Sequence, residues 1–152
     1  MPDERGTPAG PVHVEGEVVA TKRVGAYRHL TLSAPGIPER FRAGSFVAVT
    51  VAGHVARRAL WVHRVRASSG FGPTLDVVVD VQGSGTAWLA AQPVGTRIAI
   101  TGPLGRPFAL PKDAVSCLLV GEGYAAAPLF PLAERLRERG CAVSLVVSAP
   151  DE

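Results

Sequence analysis

The chain has 152 residues, 47% of them hydrophobic and 19% charged, which is the size of one ordinary domain with enough apolar material for a core and excludes general disorder. Its formal charge of +3 comes with 16 basic residues, of which only Lys22 and Lys112 are lysines, and their scatter along the chain argues against a nucleic-acid stripe. No apolar run approaches the roughly 18 residues of a membrane span, and the polar start is not signal-like, so the sequence reads as a soluble cytoplasmic protein with a flexible segment 1–11 and neither nucleic-acid nor membrane partners.

From residue 12 onward, short β-branched runs alternate with Gly and Pro punctuation: 12–22, 27–33, 45–51, 58–65, 75–81 and 97–101. Six such runs predict a mainly β fold, a small antiparallel barrel over 12–111. In the second run Leu30 and Leu32 share one face with Arg28, while Tyr27, His29 and Thr31 share the other; the leucine face is the predicted core. Between the fifth and sixth runs, Gly83-Ser84-Gly85-Thr86 leads into an apolar stretch closed by Pro93 and Gly95. That pattern predicts a glycine turn feeding one or two helical turns.

After Pro111 the pattern changes. An apolar run over 116–121 ends in glycine, a helix is predicted over 128–139 from Leu129, Leu132, Ala133 and Leu136, and 141–148 is apolar again. Pro128 fits the first helical position and Gly140 the position just past the end. The segment 112–152 therefore reads as one β-α-β unit. Such a unit is roughly a third of a dinucleotide-binding domain. It is expected to be truncated, and to dock on the barrel or on a second chain, with a homodimer through its open edge. Cys117 and Cys141 lie in apolar stretches without metal-ligand spacing, so they read as buried free thiols, with no metal site and no iron-sulfur cluster.

The chemistry-bearing residues begin with Arg57-Arg58, which open the fourth run. An arginine at a strand end beside a glycine turn and helix start suits a pyrophosphate, with guanidinium on one side and backbone N–H groups on the other. The plain alternative is a solvated arginine pair at a sheet edge. Gly83 and Gly85 let backbone amides approach an anion, and Thr86 adds a hydroxyl at the helix start. A Gly/Pro-rich loop, Gly102-Pro103-Leu104-Gly105-Arg106-Pro107-Phe108, follows the sixth run.

The succession Arg57-Arg58-Ala59-Leu60, Gly83-Ser84-Gly85-Thr86 with Trp88-Leu89, Gly102 to Phe108, Leu119-Val120-Gly121-Glu122-Gly123-Tyr124 and Ala127-Pro128-Leu129-Phe130 resembles the electron-transfer subunit of dihydroorotate dehydrogenase, within the ferredoxin-reductase superfamily. The resemblance covers about residues 16–147. It implies a six-stranded Greek-key flavin-binding barrel followed by the start of a pyridine-nucleotide domain, with FAD, NADH and a [2Fe-2S] cluster relaying electrons. Arg58 is implied to hold the FAD phosphates with Gly85 and Thr86, and the glycines from Gly121 to face the nicotinamide cofactor.

Three positions depart from that pattern. Trp61 stands where the family places a serine against the flavin ring edge, and its indole is large enough to enter the ring's slot. Glu122 and Ala125 replace glycines, putting a carboxylate and a Cβ where an anionic dinucleotide approaches. From these departures the principal expectation is a cofactor-independent enzyme of cyclase, isomerase or lyase type, acting on a small organic substrate in the former flavin cleft and needing neither FAD nor NAD. Its catalytic groups are Glu122, His63 and Tyr124, with Arg58, Trp61 and Thr86 binding substrate. Two alternatives stand beside it: an electron-transfer protein that retains FAD through Arg58, Gly85 and Thr86, and a non-catalytic interaction protein.

Overall fold

The computed structural model describes residues 10–149, so the expected flexible segment 1–11 lies almost entirely outside the described residues. Six strands, β1 (Val12–Val24), β2 (Tyr27–Ser33), β3 (Phe46–Val49), β4 (Arg58–Arg66), β5 (Thr74–Val79) and β6 (Arg97–Leu104), close into an antiparallel barrel in the order β1-β2-β5-β4-β3-β6. The long β1 closes it by serving two neighbours, pairing with β6 from Val12 to Glu17 and with β2 from Glu17 to Val24. Gly16 sits at this closure because a Cβ there would lie 2.8 Å from the Ser33 carbonyl oxygen and collide with Ile100.

Alternation decides which side chains enter the barrel. Leu30 and Leu32 of β2 are buried as their spacing predicts, joined by Val47, Val49, Leu60, Val62, Leu75, Val77, Val79, Ile98 and Ile100. The short helix α1 (Ser84–Ala90) adds Leu89, which is 1% exposed and packs into the same cluster. Burying one leucine contributes on the order of 1.5–3 kcal/mol. α1 lies against β2 and β5.

The remaining elements are β7 (Ser116–Glu122), a 3-10 turn at Gly123–Ala126, α2 (Leu129–Glu138) and β8 (Ala142–Ser148). β7 and β8 pair in parallel, and α2 covers one face through Leu132 and Leu136 against Leu119, Cys117, Val143 and Cys141. Gly140, at φ +81°, turns the chain from α2 into β8, a backbone conformation that favours glycine. Pro128 is the N-cap rather than the first helical residue, a one-residue difference from the expectation. The opposite face leaves Leu118 and Val120 about two-thirds exposed, with Val146 also exposed. Among the described residues no helix is long and apolar enough to cross a membrane.

Candidate functional site

The β4–β5 ladder runs from Arg66↔Thr74 through Arg64↔Asp76 to Val62↔Val77, with a bulge at His63, and stops there. Beyond that point Arg58 to Trp61 pair only with β3, while β5 runs to Val79 and the chain continues toward α1. The two strands part, and the opening is bordered by the backbone of β4 on one side and the start of α1 on the other.

Arg58 and Gly85 meet across this opening. A Cβ on Gly85 would lie within 2.7 Å of Arg58 Cζ, so the guanidinium rests directly on the glycine. Its Nη1 donates to the Ala56 carbonyl at 2.8 Å, which holds the fork in place. Arg57, just before β4, donates instead to Thr101 Oγ1 at 2.7 Å. Only one arginine of the pair reaches the opening.

Thr86 lies beside them, but its hydroxyl serves the turn. Oγ1 accepts from the backbone N–H groups of Gln82 (2.9 Å) and Gly83 (3.1 Å), and donates to the Gly83 carbonyl. Thr86 thus shapes the cradle as a helix cap, which differs from the direct ligand contact expected of it. His54, which no sequence motif marks, also stands here: its Nε2 is 2.9 Å from Ser84 Oγ, and its Nδ1 is 3.1 Å from the Ala52 carbonyl. A carbonyl only accepts, so Nδ1 carries the proton and Nε2 accepts from the serine.

At the far end of the opening, the Trp61 N–H donates to the Tyr124 hydroxyl oxygen at 3.0 Å. Burial raises the Tyr124 phenol above its ordinary pKa, the Trp61 N–H offsets part of that, and the charge of Asp80 adds to the rise. The indole of Trp61 packs edge-on against Phe46, ring centroids 6.2 Å apart. Gly123, at φ +51°, precedes Tyr124, and a Cβ there would lie 3.1 Å from the Tyr27 hydroxyl. Gly121 is enclosed, with Leu129 Cδ1 at 2.7 Å and Ala126 Cα at 2.9 Å from a built Cβ.

His63 takes a different part. The bulge turns it outward, Nδ1 donates to the Ala127 carbonyl at 3.1 Å, and its ring stands between Phe130 (4.9 Å) and His29 (5.5 Å). With the Arg64–Glu134 pair at 3.8 Å, it fastens α2 and its neighbouring turn to the barrel. His29 has a lowered pKa, from burial first and then from His63, with Asp76 opposing and Lys22 adding to the depression. Glu122 is exposed at the end of β7. The expected triad of Glu122, His63 and Tyr124 is therefore dispersed: a carboxylate facing solvent, an imidazole fastening a helix, and a phenol on a backbone amide. Among the described residues no three His, Cys, Asp or Glu side chains gather as a metal site.

The comparisons with known proteins bear on this geometry. No family model matches the chain. It is 36% identical over 141 residues to the dihydroorotate dehydrogenase B (NAD(+)) electron transfer subunit of Geobacillus kaustophilus, covering 88% of this chain and 53% of that protein. The like-named subunit of Desulforamulus reducens is 32% identical over 127 residues, covering 82% and 47%. Among solved structures, an NADH-dependent reduced ferredoxin-NADP oxidoreductase studied for flavin-based electron bifurcation superposes with a TM-score of 0.81 at 26% identity, covering 91% of this chain and 50% of the other. The chain spans about half the length of the curated relatives it matches.

These relatives overturn the expectation of a cofactor-independent cyclase, isomerase or lyase, because they are electron transfer subunits of a redox enzyme. The expectation that neither FAD nor NAD is involved falls with it, since those proteins are named for NAD(+) and the structural relative for flavin chemistry. Of the departures that motivated it, Glu122 stands apart from the opening. Glu122 is exposed at the end of β7, outside the enclosed apolar setting that the expected acid requires. At the other end of the opening, Arg58 rests on Gly85.

Proposed function

From a chain that is a relative of the dihydroorotate dehydrogenase B electron transfer subunits, we propose a flavin-binding electron-transfer module that works with a protein partner in the cytoplasm. The observation that carries this reading is the Arg58 guanidinium seated on Gly85 at the start of α1. A planar fork beside the first turn of a helix matches a diphosphate in charge and shape. The residues at that end fit FAD: a side chain at position 85 would displace the guanidinium, so the glycine keeps the cradle open. FAD, when bound, supplies the exchange between electron pairs and single electrons. The chain's own part is to grip the diphosphate with Arg58, to hold the turn with Thr86, and to keep α2 and β7 against the barrel through His63. A nicotinamide nucleotide would approach over Gly121 to Gly123.

The partner has a surface available. Leu118, Val120 and Val146 form an exposed apolar face on the parallel pair β7–β8, whereas parallel sheets are covered on both faces. We assign this face to a second copy of the chain, forming a homodimer.

Incubation with FAD followed by desalting tests the reading. It predicts a visible flavin spectrum retained at one equivalent per chain, and a loss of about tenfold or more in affinity on Arg58→Ala, the range for a charged hydrogen bond to phosphate. A colourless protein with no measurable FAD affinity would refute it.

A further inference from the structure

We propose that Tyr124 sets the affinity for the ring end of the bound flavin, by occupying the backbone donor that the ring edge would otherwise use; this rests on the FAD reading above. The geometry begins with the interrupted ladder. β5 supplies partners to β4 as far as Val62, so the next residue, Trp61, has an amide that the strand pairing leaves for something else. That partner is the Tyr124 hydroxyl, at 3.0 Å, from an element outside the barrel. A buried backbone N–H is nearly always paired, so this bond satisfies a group the barrel itself cannot.

Trp61 lies three residues along β4 from Arg58, roughly 10 Å at the rise of a strand. A dinucleotide whose diphosphate rests on Arg58 and Gly85 reaches that distance with its ribityl chain. Its ring edge, which carries carbonyl and imine acceptors around a single N–H, then brings an acceptor to the Trp61 N–H. One N–H cannot serve both the phenol and a ring acceptor well, so binding of the ring and the Tyr124–Trp61 bond exclude each other. The phosphate end involves none of these atoms, and it is untouched by the exchange.

This separates ring-bearing from ringless ligands. FAD must displace the phenol; ADP, which carries the diphosphate but no flavin, need not. Tyr124 therefore lowers the affinity for FAD relative to ADP without contacting the diphosphate.

FAD and ADP are titrated by calorimetry into the wild-type chain, Tyr124→Phe and Arg58→Ala, and exchange of the Trp61 amide is followed by NMR. The proposal expects Tyr124→Phe to bind FAD about three- to tenfold more tightly with ADP unchanged, and the Trp61 amide to exchange faster in Tyr124→Phe without ligand. FAD binding that is unchanged or weaker in Tyr124→Phe, while Arg58→Ala weakens both ligands, overturns the role of Tyr124 and leaves the FAD reading standing. FAD binding by none of the three chains overturns both.

Discussion

The guanidinium of Arg58 and the Cα of Gly85 are in direct contact, with no room for a methyl group between them. What a side chain at position 85 would strike is the far end of a flexible arginine, so Gly85→Ala is expected to fold and to move Arg58 off its seat. The expected result is a weakening of FAD by about tenfold, comparable to loss of a charge-assisted hydrogen bond, with a melting temperature within a few degrees of wild type. Calorimetry and thermal unfolding on the same preparation check both halves.

Thr86→Val removes a hydroxyl that the Gln82 and Gly83 N–H groups donate to. Loss of such a cap costs about 1 kcal/mol. The melting temperature is expected to fall, and FAD affinity to change less than in Arg58→Ala. An FAD loss equal to that of Arg58→Ala, with stability unchanged, would instead mean that the hydroxyl touches the ligand.

His29 makes stability depend on pH. Its folded pKa is depressed below 6.5, by burial first and then by His63. Between the folded value and 6.5 the unfolded chain binds more protons, so the stability is present above that range and is lost as pH falls through the folded pKa. Thermal melts between about pH 5 and pH 8 should show this acid-side loss, and His29→Gln should flatten it.

The face of Leu118 and Val120 yields a further outcome. If a second copy docks there, sedimentation equilibrium shows a concentration-dependent dimer, and Leu118→Asp with Val120→Asp returns it to monomer while FAD binding is kept. A dimer that survives both substitutions places the contact elsewhere.

Period-2 alternation makes the barrel legible, because Leu30, Leu32, Val47, Val49, Val62 and Val77 occupy its inward face. The capping pattern around Pro128 and Gly140 likewise marked α2 to within a residue or so. The Arg58–Gly85 relationship was legible as a possibility from an arginine at a strand end and a glycine turn before a helix. Other parts depend on contacts between distant segments. No local pattern shows that β5 leaves β4 after Val77, that Trp61 thereby exposes an amide, or that Tyr124, 63 residues further along, accepts from it. The surroundings of His63 are hidden for the same reason: its bulge and its bond to Ala127 join segments far apart in the chain. Substitutions such as Glu122 are conspicuous in a sequence, yet their weight depends on exposure, and an exposed carboxylate is a weak argument for new chemistry.

If Arg58 grips a diphosphate, FAD and riboflavin, which has the ring without the diphosphate, should separate when titrated into the wild-type chain and into Arg58→Ala. Wild type is expected to prefer FAD strongly, and Arg58→Ala to lose most of that preference while binding riboflavin as before. Equal loss of FAD and riboflavin in Arg58→Ala, or a preference for FAD that survives the substitution, would contradict it.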